Sequence, residues 1–469
     1  MTDQRSYWRM GATAFWLVAA VLPSAQAWSG HALLTWQAFG DAHEVAAHRV
    51  HAESLERFVT ARGPQLERLL AEHEAWARAN LPDYPARPDH LAFRAEPHDA
   101  AHAPPARDRF LMALRVNPFS HVPLFLQARP EDSRADLPLL GWQAVTTLAS
   151  GIGARESRFL RLAEGESVSA LDVLATASAE PDYGLDLGLY SDSGTPFGLR
   201  YGFGRQPFGD PAVEYGSQAP FHMGFHHEAR IVFLAASFLR NTQPEARIAL
   251  FSALARDAFA TGHGYWGWRF SGWALHYVQD LTQPYHASVL PGVSTLRMIG
   301  LNLLGMVGYQ RPKLDAITLV SNRHVALENY QLARMQRIHR EARWDDAMVK
   351  ALRDTKGDGR HWRYEGTSTR AIVTSEAQAA ADALDAQLER SLPQRYTSDP
   401  GISLGNEADL LDMDRIARQH SPEENLHLEE HVVRLMANLG RHTRALMRSL
   451  LQSLVNAPGV PGTPPRPGQ

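Results

Sequence analysis

Apolar side chains recur at intervals of three and four positions along most of the chain, a spacing that predicts amphipathic helices. Helices are predicted over residues 32–61, 64–79, 110–114, 142–149, 167–177, 228–240, 245–260, 266–280, 323–341, 375–391 and 423–455. Strict alternation of apolar and polar residues, the pattern of a half-buried strand, is scarce. The pattern therefore predicts an all-α chain.

Two long stretches lack this periodicity. Residues 81–107 are rich in Pro, Ala and His, and residues 191–219 are rich in Gly, Pro, Ser and Tyr. Both compositions are typical of irregular connections, and such long loops inside a compact domain are often functional. We expect a single, mainly helical domain over residues 28–455 with long loop insertions, followed by a disordered Pro- and Gly-rich tail over residues 456–469.

The first 27 residues have the pattern of a secretory signal peptide. Arg5 and Arg9 precede an apolar run that is too short to span a membrane, and residues 24–27 form a small-x-small cleavage site. We predict cleavage after Ala27, which makes Trp28 the first residue of the mature chain. The protein is then secreted or periplasmic.

The amino-acid composition limits the kinds of catalytic and metal site that the chain can form. The chain has 469 residues, 44% of them hydrophobic and 21% charged, so it can bury a large core. A net charge of -4 disfavours a protein that binds polyanions through bulk charge. There is no cysteine, which excludes disulfides, thiolate catalysis and cysteine-bound zinc. The 22 histidines, together with Asp and Glu, remain for any metal site.

Two pairs of residues have metal-ligand spacing. His276 and Asp280 are four positions apart on a predicted helix, so their side chains lie one turn apart on the same face. His324 and Glu328 repeat this spacing, and His286 follows Pro284 between the two pairs, where we expect the first helix to end. One such pair alone is weak evidence in a chain with this many histidines. Two pairs and an intervening histidine, preceded by the N-terminal Trp-x-x-His, are difficult to ascribe to chance.

The stretch from residue 275 to residue 286, with this order of motifs, closely resembles the signature of the zinc-dependent phospholipases C. It resembles more distantly the single-strand-specific zinc nucleases that share the same all-helical fold. The resemblance implies three zinc ions at the bottom of a cleft. One is expected to bind the α-amino group and carbonyl of Trp28 together with His31, because an α-amino group of pKa about 8 loses its proton readily beside a dication.

The resemblance also assigns the remaining ligands. His276 and Asp280 match the central His and Asp, with Asp280 bridging two metals, and the set on another zinc is matched by His286, His324 and Glu328. Glu328, followed by Asn329, is closer to the phospholipases than to the nucleases, which use Asp there.

Two family ligands fall between the N-terminus and the central motif. Asp182, within Pro-Asp-Tyr, is the candidate for the Asp, and it could ligate zinc, orient the attacking water or do both. His222 is the first candidate for the His, with His226 and His227 as alternatives, because about forty residues separate Asp182 from His222 where the family has a short link.

These residues predict a zinc-dependent phosphodiester hydrolase. The implied activity is that of a phospholipase C, which cleaves glycerophospholipids to diacylglycerol and a phosphorylated headgroup with a metal-activated water. Its substrate is phospholipid, met transiently at a membrane surface, and no obligate protein partner is evident. The alternatives are a single-strand-specific nuclease with 3'-nucleotidase activity, which would bind nucleic acid, and an inactive zinc-stabilised binding protein.

The apolar segment over residues 298–308 is open to two interpretations. It lies between His286 and His324, so both of its ends are tied to the ligand set. It is either an interfacial element that reaches lipid or a core helix beneath the site.

Overall fold

The computed structural model describes residues 30–97, 99, 102–132, 138–151, 153–209, 216–358, 364–404 and 411–455. The predicted signal peptide, Trp28 and the predicted disordered tail lie outside these ranges.

Helices account for most of the described chain, which confirms the predicted helical class. The first nine are α1 (His31–Ala38), α2 (His43–Ala47), α3 (Leu55–Asn80), α4 (Ala106–Leu114), α5 (Ala170–Ala179), α6 (Ala219–His222), α7 (Arg230–Ala235), α8 (Pro244–Ala260) and α9 (Gly264–Asp280). The others are α10 (Pro284–Ala287), α11 (Thr295–Met306), α12 (Arg311–Arg340), α13 (Ala347–Arg353), α14 (Thr374–Ser391), α15 (Gln394–Thr397), α16 (Met413–His420) and α17 (Pro422–Val455).

Within the described ranges, five short strands form two small antiparallel sheets. The strands are β1 (Arg49–His51), β2 (Phe125–Gln127), β3 (Leu139–Leu140), β4 (Phe159–Arg161) and β5 (Ser167–Ser169). β1 pairs with β5, and β4 lies between β2 and β3. The described part of the chain is thus a helical domain with two small strand insertions.

The prediction of one helix over residues 32–61 is wrong. The structure breaks it into α1, α2, β1 and the start of α3, because β1 pairs with β5, with Val50 opposite Val168. Val50 is buried while Arg49 and His51 are exposed, which is the alternation of a half-buried strand. The same pairing makes the first three residues of the predicted helix over 167–177 a strand.

Other predicted helices differ in length. Residues 142–149 contain only a 3-10 turn, Trp142–Ala144, since the backbone N–H of Thr147 bonds to the carbonyl of Tyr183 at 3.0 Å instead of continuing a helix. The helix predicted over 228–240 divides into α7 and a 3-10 turn, Ser237–Arg240. α12 begins twelve positions before the predicted start at residue 323, with a proline in its first turn, where proline is tolerated.

The helix α9 lies at the centre of the core. All its residues from Tyr265 to Asp280 are buried, and it packs most extensively against α8 and α5. It ends at Asp280, so the prediction that Pro284 ends it is corrected: Pro284 begins the short α10. Even Arg269 is buried, and its guanidinium donates to Glu180 at 2.9 Å, which compensates the burial of both charges. The end of α9 is therefore held by packing on all sides.

Among the described helices, none has the length and apolar composition that crossing a membrane requires.

Candidate metal centre

Two helices and a short third one carry most of the sequence-predicted ligands. His276 and Asp280 occupy the last turns of α9, and His324 and Glu328 lie one turn apart near the middle of α12. The four-residue spacing places each pair on one helix face, as predicted. His286 comes from α10, which directly follows the end of α9.

The two carboxylate oxygens of Asp280 face different histidines. Oδ2 lies 2.8 Å from Nδ1 of His222 and 3.3 Å from Nε2 of His276. Oδ1 lies 3.2 Å from Nε2 of His31. The structure thus brings together residues from α1, α6 and α9, and Asp280 lies between two sets of nitrogen atoms.

Asp182 approaches the same group from a 3-10 turn, Pro181–Tyr183, that directly follows α5. Its two oxygens lie 3.7 Å from Nε2 of His31 and 3.7 Å from Nε2 of His276. Gly184 ends this turn with a positive φ of 100°, and a Cβ atom there would lie 2.1 Å from a side-chain oxygen of Thr147. The turn that presents Asp182 therefore requires glycine at position 184.

A third group forms around α10 and α12. Nε2 of His324 lies 2.8 Å from Oε1 of Glu328 and 3.1 Å from Nε2 of His286. The ring of Tyr285 stacks on His324 with a centroid distance of 5.2 Å and an interplanar angle of 13°, which fixes the orientation of that imidazole.

The ring orientations of two histidines suit metal ligation. Nδ1 of His276 donates to the carbonyl oxygen of Ser178 at 2.8 Å, and Nδ1 of His286 donates to the carbonyl oxygen of His222 at 2.7 Å. Because a carbonyl only accepts, each neutral ring has its proton on Nδ1 and a free lone pair on Nε2. Both Nε2 atoms are directed at the other ligands, which is the usual arrangement of a metal-binding histidine.

His31 has the same arrangement, with Nδ1 2.8 Å from the side-chain oxygen of Gln279. Its Nε2 atom and Oδ1 of Asp280 are both buried and have no hydrogen-bond partner among the described residues. Two buried acceptors without partners destabilise a fold, and a cation between them would satisfy both. The donor set therefore fits a metal ion.

The pKa shifts of Asp280 and His276 also indicate a site for a cation. Burial opposes ionisation of Asp280, but His276 and hydrogen bonds from neighbouring histidines outweigh it and hold the pKa of Asp280 well below its usual value. Burial also disfavours the charged form of His276, yet Asp280 and Asp182 raise the pKa of His276 to about 9. Negative charge thus dominates this part of the centre, as a cation site requires.

In the third group, burial is the largest influence on all three pKa values. Burial, with the charges of Asp182 and Asp280, raises the pKa of Glu328 well above its usual value. Burial lowers the pKa of His286 to about 4 and that of His324 well below its usual value. A neutral histidine is the form that ligates metal.

A buried carboxylate lies behind His222. Asp186 accepts hydrogen bonds at 2.6 Å from Arg247 and at 2.6 Å from the hydroxyl of Tyr277, and its Oδ2 is 3.6 Å from Nε2 of His222. Asp186 is fully buried. It therefore supports the side of the His222 ring that faces away from Asp280.

The structure separates the three histidines left open by the sequence. Only His222 joins the ligand group. Nε2 of His226 lies 3.8 Å from Glu245, and Nε2 of His227 bonds to the carbonyl of Arg370. Trp28, the predicted terminal ligand, lies outside the described residues.

Among the residues that the structure describes, three groups of buried or half-buried side chains could thus hold metal ions. They are His31, Asp182 and His276; His222, His276 and Asp280; and His286, His324 and Glu328. His276 belongs to two groups through one nitrogen atom, so the first two groups form one continuous pocket around Asp280. Asp182, at 15% exposure, is the most accessible of these side chains.

A cavity of about 360 Å³ adjoins Asp182. Its polar lining includes three arginines, Arg129, Arg158 and Arg340, which the sequence analysis missed. Residues 332, 336 and 340 follow the ligands at four-residue intervals along α12, a row that winds around the helix by about 40° at each step. α12 thus carries two ligands and also lines the cavity with Leu332, Gln336 and Arg340.

Comparison with known proteins found no match to a family model, to a curated protein or to a solved structure.

Proposed function

We propose that the protein is a zinc-dependent phosphodiester hydrolase, and that its activity is that of a phospholipase C. The observation that carries this proposal is the convergence of eight His, Asp and Glu side chains, drawn from separate parts of the chain, beside a cavity open to solvent. Nitrogen and carboxylate oxygen donors without any thiolate suit zinc in a hydrolytic site. Three ions, one of them on the terminal amine of Trp28, are part of the proposal.

Each ligand group has a part in holding the ions. Asp280, with one oxygen toward His31 and the other toward His222 and His276, would bridge two ions. His324 and Glu328, with His286, would hold the third ion. Zinc bound there would supply positive charge that lowers the pKa of a water and offsets the charge that develops on phosphorus and on the leaving oxygen.

Asp182 is the proposed catalytic residue because it lies between the ligand group and the cavity. Its carboxylate would orient the attacking water and accept one of its protons. The water oxygen forms a bond to phosphorus, the bond between phosphorus and the glycerol oxygen breaks, and that oxygen leaves as the hydroxyl of diacylglycerol after taking up a proton. The phosphorylated headgroup is the second product.

The cavity lining favours a phospholipid over a nucleic acid. Proteins that bind single strands stack bases on aromatic side chains. The one aromatic residue of the described lining is Tyr183, which is buried and whose hydroxyl donates to Gln127 at 2.9 Å. A stacking platform is therefore missing from the part of the cavity wall that the structure describes.

The test compares substrates on one preparation. Mature protein loaded with zinc is incubated with phosphatidylcholine, phosphatidylethanolamine and single-stranded DNA, with the zinc content measured in parallel. We expect a phosphorylated headgroup from phospholipid, loss of that activity in His324→Ala, and its retention in His427→Ala, whose exposed imidazole lies outside the centre. Acid-soluble nucleotides from DNA, with phospholipid untouched, would establish the nuclease instead. Full zinc occupancy without hydrolysis of either substrate would refute an enzymatic role.

A further inference from the structure

Exposed apolar side chains concentrate on one region of the molecule. Nine of the fourteen large apolar side chains that are exposed in the described chain belong to α7, α11, the segment that joins α11 to α12 and the first turn of α12. They are Ile231, Leu234, Leu296, Leu303, Leu304, Met306, Val307, Tyr309 and Leu314. Since single exposed apolar residues are ordinary but a cluster of this size is not, this region requires an explanation. We refer to these nine residues as the α7–α11 surface.

Both faces of α11 are apolar. Met298, Leu301 and Gly305 are buried on its inner side, where Met298 packs in a small core separate from the main one. Leu296 and Leu303, which are 82% and 57% exposed, are seven positions apart and therefore share the outer side. Packing within the protein thus explains the inner side alone, and the outer side is left in contact with water.

α7 continues the same region. It contacts α11, and its Val232 packs in the same small core as Met298. Leu234 of α7 is 76% exposed. The two helices therefore present apolar side chains outward together from a shared support.

Exposed arginines accompany the α7–α11 surface. Residues 229–240 and 294–314 contain the exposed Arg230, Arg240, Arg297 and Arg311, the buried Lys313 and no carboxylate. Asp315, the next residue, lies 3.9 Å from Arg311 and offsets part of that charge. Apolar side chains next to cations are the composition of elements that lie in the plane of an anionic membrane. α11, with twelve residues, is too short to cross a bilayer, so it would lie in the interface.

We propose that the α7–α11 surface docks the protein onto membranes that contain anionic phospholipid. The apolar side chains enter the boundary between headgroups and acyl chains, and the arginines meet lipid phosphates. A second copy of the chain suits this surface less well, because a symmetric pair would place its cations against each other. The inference goes beyond the proposed activity, since docking requires neither metal nor turnover.

The distance between the α7–α11 surface and the cavity beside Asp182 determines how docking could affect the site. Leu314 and Leu332 lie on the same helix, α12, and are eighteen positions apart, which corresponds to about 27 Å along a straight helix. Leu332 lines the cavity next to the ligand groups, so the α7–α11 surface lies well away from that cavity. Docking therefore concentrates the protein at the membrane rather than closing the cavity against it.

The experiment measures sedimentation of the zinc-loaded mature protein with vesicles of phosphatidylcholine alone or mixed with phosphatidylserine. We expect binding to the mixed vesicles that weakens as the salt concentration rises, because salt screens the arginines. Leu303→Glu should weaken it by about tenfold or more, since the added carboxylate opposes both insertion and anionic lipid. Leu199→Glu is the matched control: Leu199 is 72% exposed and lies outside the surface, so binding should not change.

Several outcomes would overturn the proposal. Equal binding of Leu303→Glu and the unaltered protein is one, and equal binding to neutral and anionic vesicles is another. A dimer in light scattering that Leu303→Glu dissociates, without any vesicle binding, would assign the surface to a second copy. Release of the phosphorylated headgroup, measured in the same samples, separates the two proposals. Binding without hydrolysis refutes the phospholipase activity alone, and hydrolysis without an effect of Leu303→Glu on binding refutes the docking alone. Both variants alter exposed positions, and their melting temperatures verify folding.

Discussion

Nδ1 of His286 donates a hydrogen bond to the backbone carbonyl oxygen of His222 at 2.7 Å. His222 directs its own Nδ1 at Asp280, so this one residue contacts the ligand group around Asp280 and also positions His286 of α10, which belongs to the group with His324 and Glu328. A displacement of His222 would therefore disturb both groups. This hydrogen bond makes the candidate centre one structural unit rather than separate sites.

Asp182→Asn tests the proposed catalytic residue. The change preserves the shape of the side chain and removes the charge that accepts a proton from water. We expect kcat/KM on phospholipid to fall on the order of 100-fold, with a small change in melting temperature because the side chain is partly exposed. Asp192→Asn, at an aspartate 35% exposed and outside the centre, is the control and should retain activity. Full activity in Asp182→Asn would remove Asp182 from the mechanism.

Glu328→Gln tests the group on α12. The variant keeps the size of the side chain but loses the anionic donor beside His324, so we expect one zinc ion fewer per chain and a lower melting temperature. Elemental analysis after dialysis measures the loss. Glu430→Gln, at an exposed glutamate, should retain the full metal content. The assignment of this group fails if the two variants hold the same amount of zinc.

Arg340→Gln tests whether the cavity recognises a charge on the substrate beyond the reacting phosphate. No carboxylate in the described chain forms an ion pair with Arg340, so its guanidinium is free to bind an anionic headgroup. We expect kcat/KM on short-chain phosphatidylserine to fall about tenfold or more, with phosphatidylcholine affected less.

Arg205→Gln, at an arginine that is 73% exposed and does not line the cavity, should leave both substrates unaffected. An equal fall of kcat/KM on the two lipids in Arg340→Gln would show that Arg340 does not distinguish their headgroups.

His226→Asn tests a pH effect on stability. Burial lowers the pKa of His226 to about 4 from an ordinary 6.5. Between these values the unfolded state binds more protons than the folded state, so the contribution of His226 to stability is present above pH 6.5 and is lost as the pH falls toward 4. The variant should lose less stability over this range, by at most about 3 kcal/mol.

Urea unfolding at several pH values between these limits measures the difference. His102→Asn, at an exposed histidine, should reproduce the pH profile of the unaltered protein. Parallel profiles for His226→Asn and the unaltered protein would contradict the prediction.

The sequence predicts best where spacing along one helix decides the geometry. The pairs on α9 and α12 were placed by a four-residue interval, and the structure has each pair on one helix face. It predicts worse where partners are distant. The break in the helix over residues 32–61 depends on pairing between Val50 and Val168, which no local pattern reveals.

The choice among His222, His226 and His227 was left open for a related reason. These residues follow a long Gly- and Pro-rich stretch. His222 ends the four-residue α6 and His226 and His227 lie in the turn after it, so no extended helical period fixes the direction of their side chains. Arg340 lies on the same helix as His324 and Glu328, but sixteen positions after His324, so the helical period does not place the two side chains on one face. Its position at the cavity depends on the residues that surround the end of α12.

Water reaches the proposed ligand set mainly from one side. Asp182 is 15% exposed, whereas His31, which belongs to the same group, and Asp280 are fully buried. A chelator that approaches from the cavity would therefore reach an ion held by Asp182 more readily than an ion held by His286 and Glu328, which are buried.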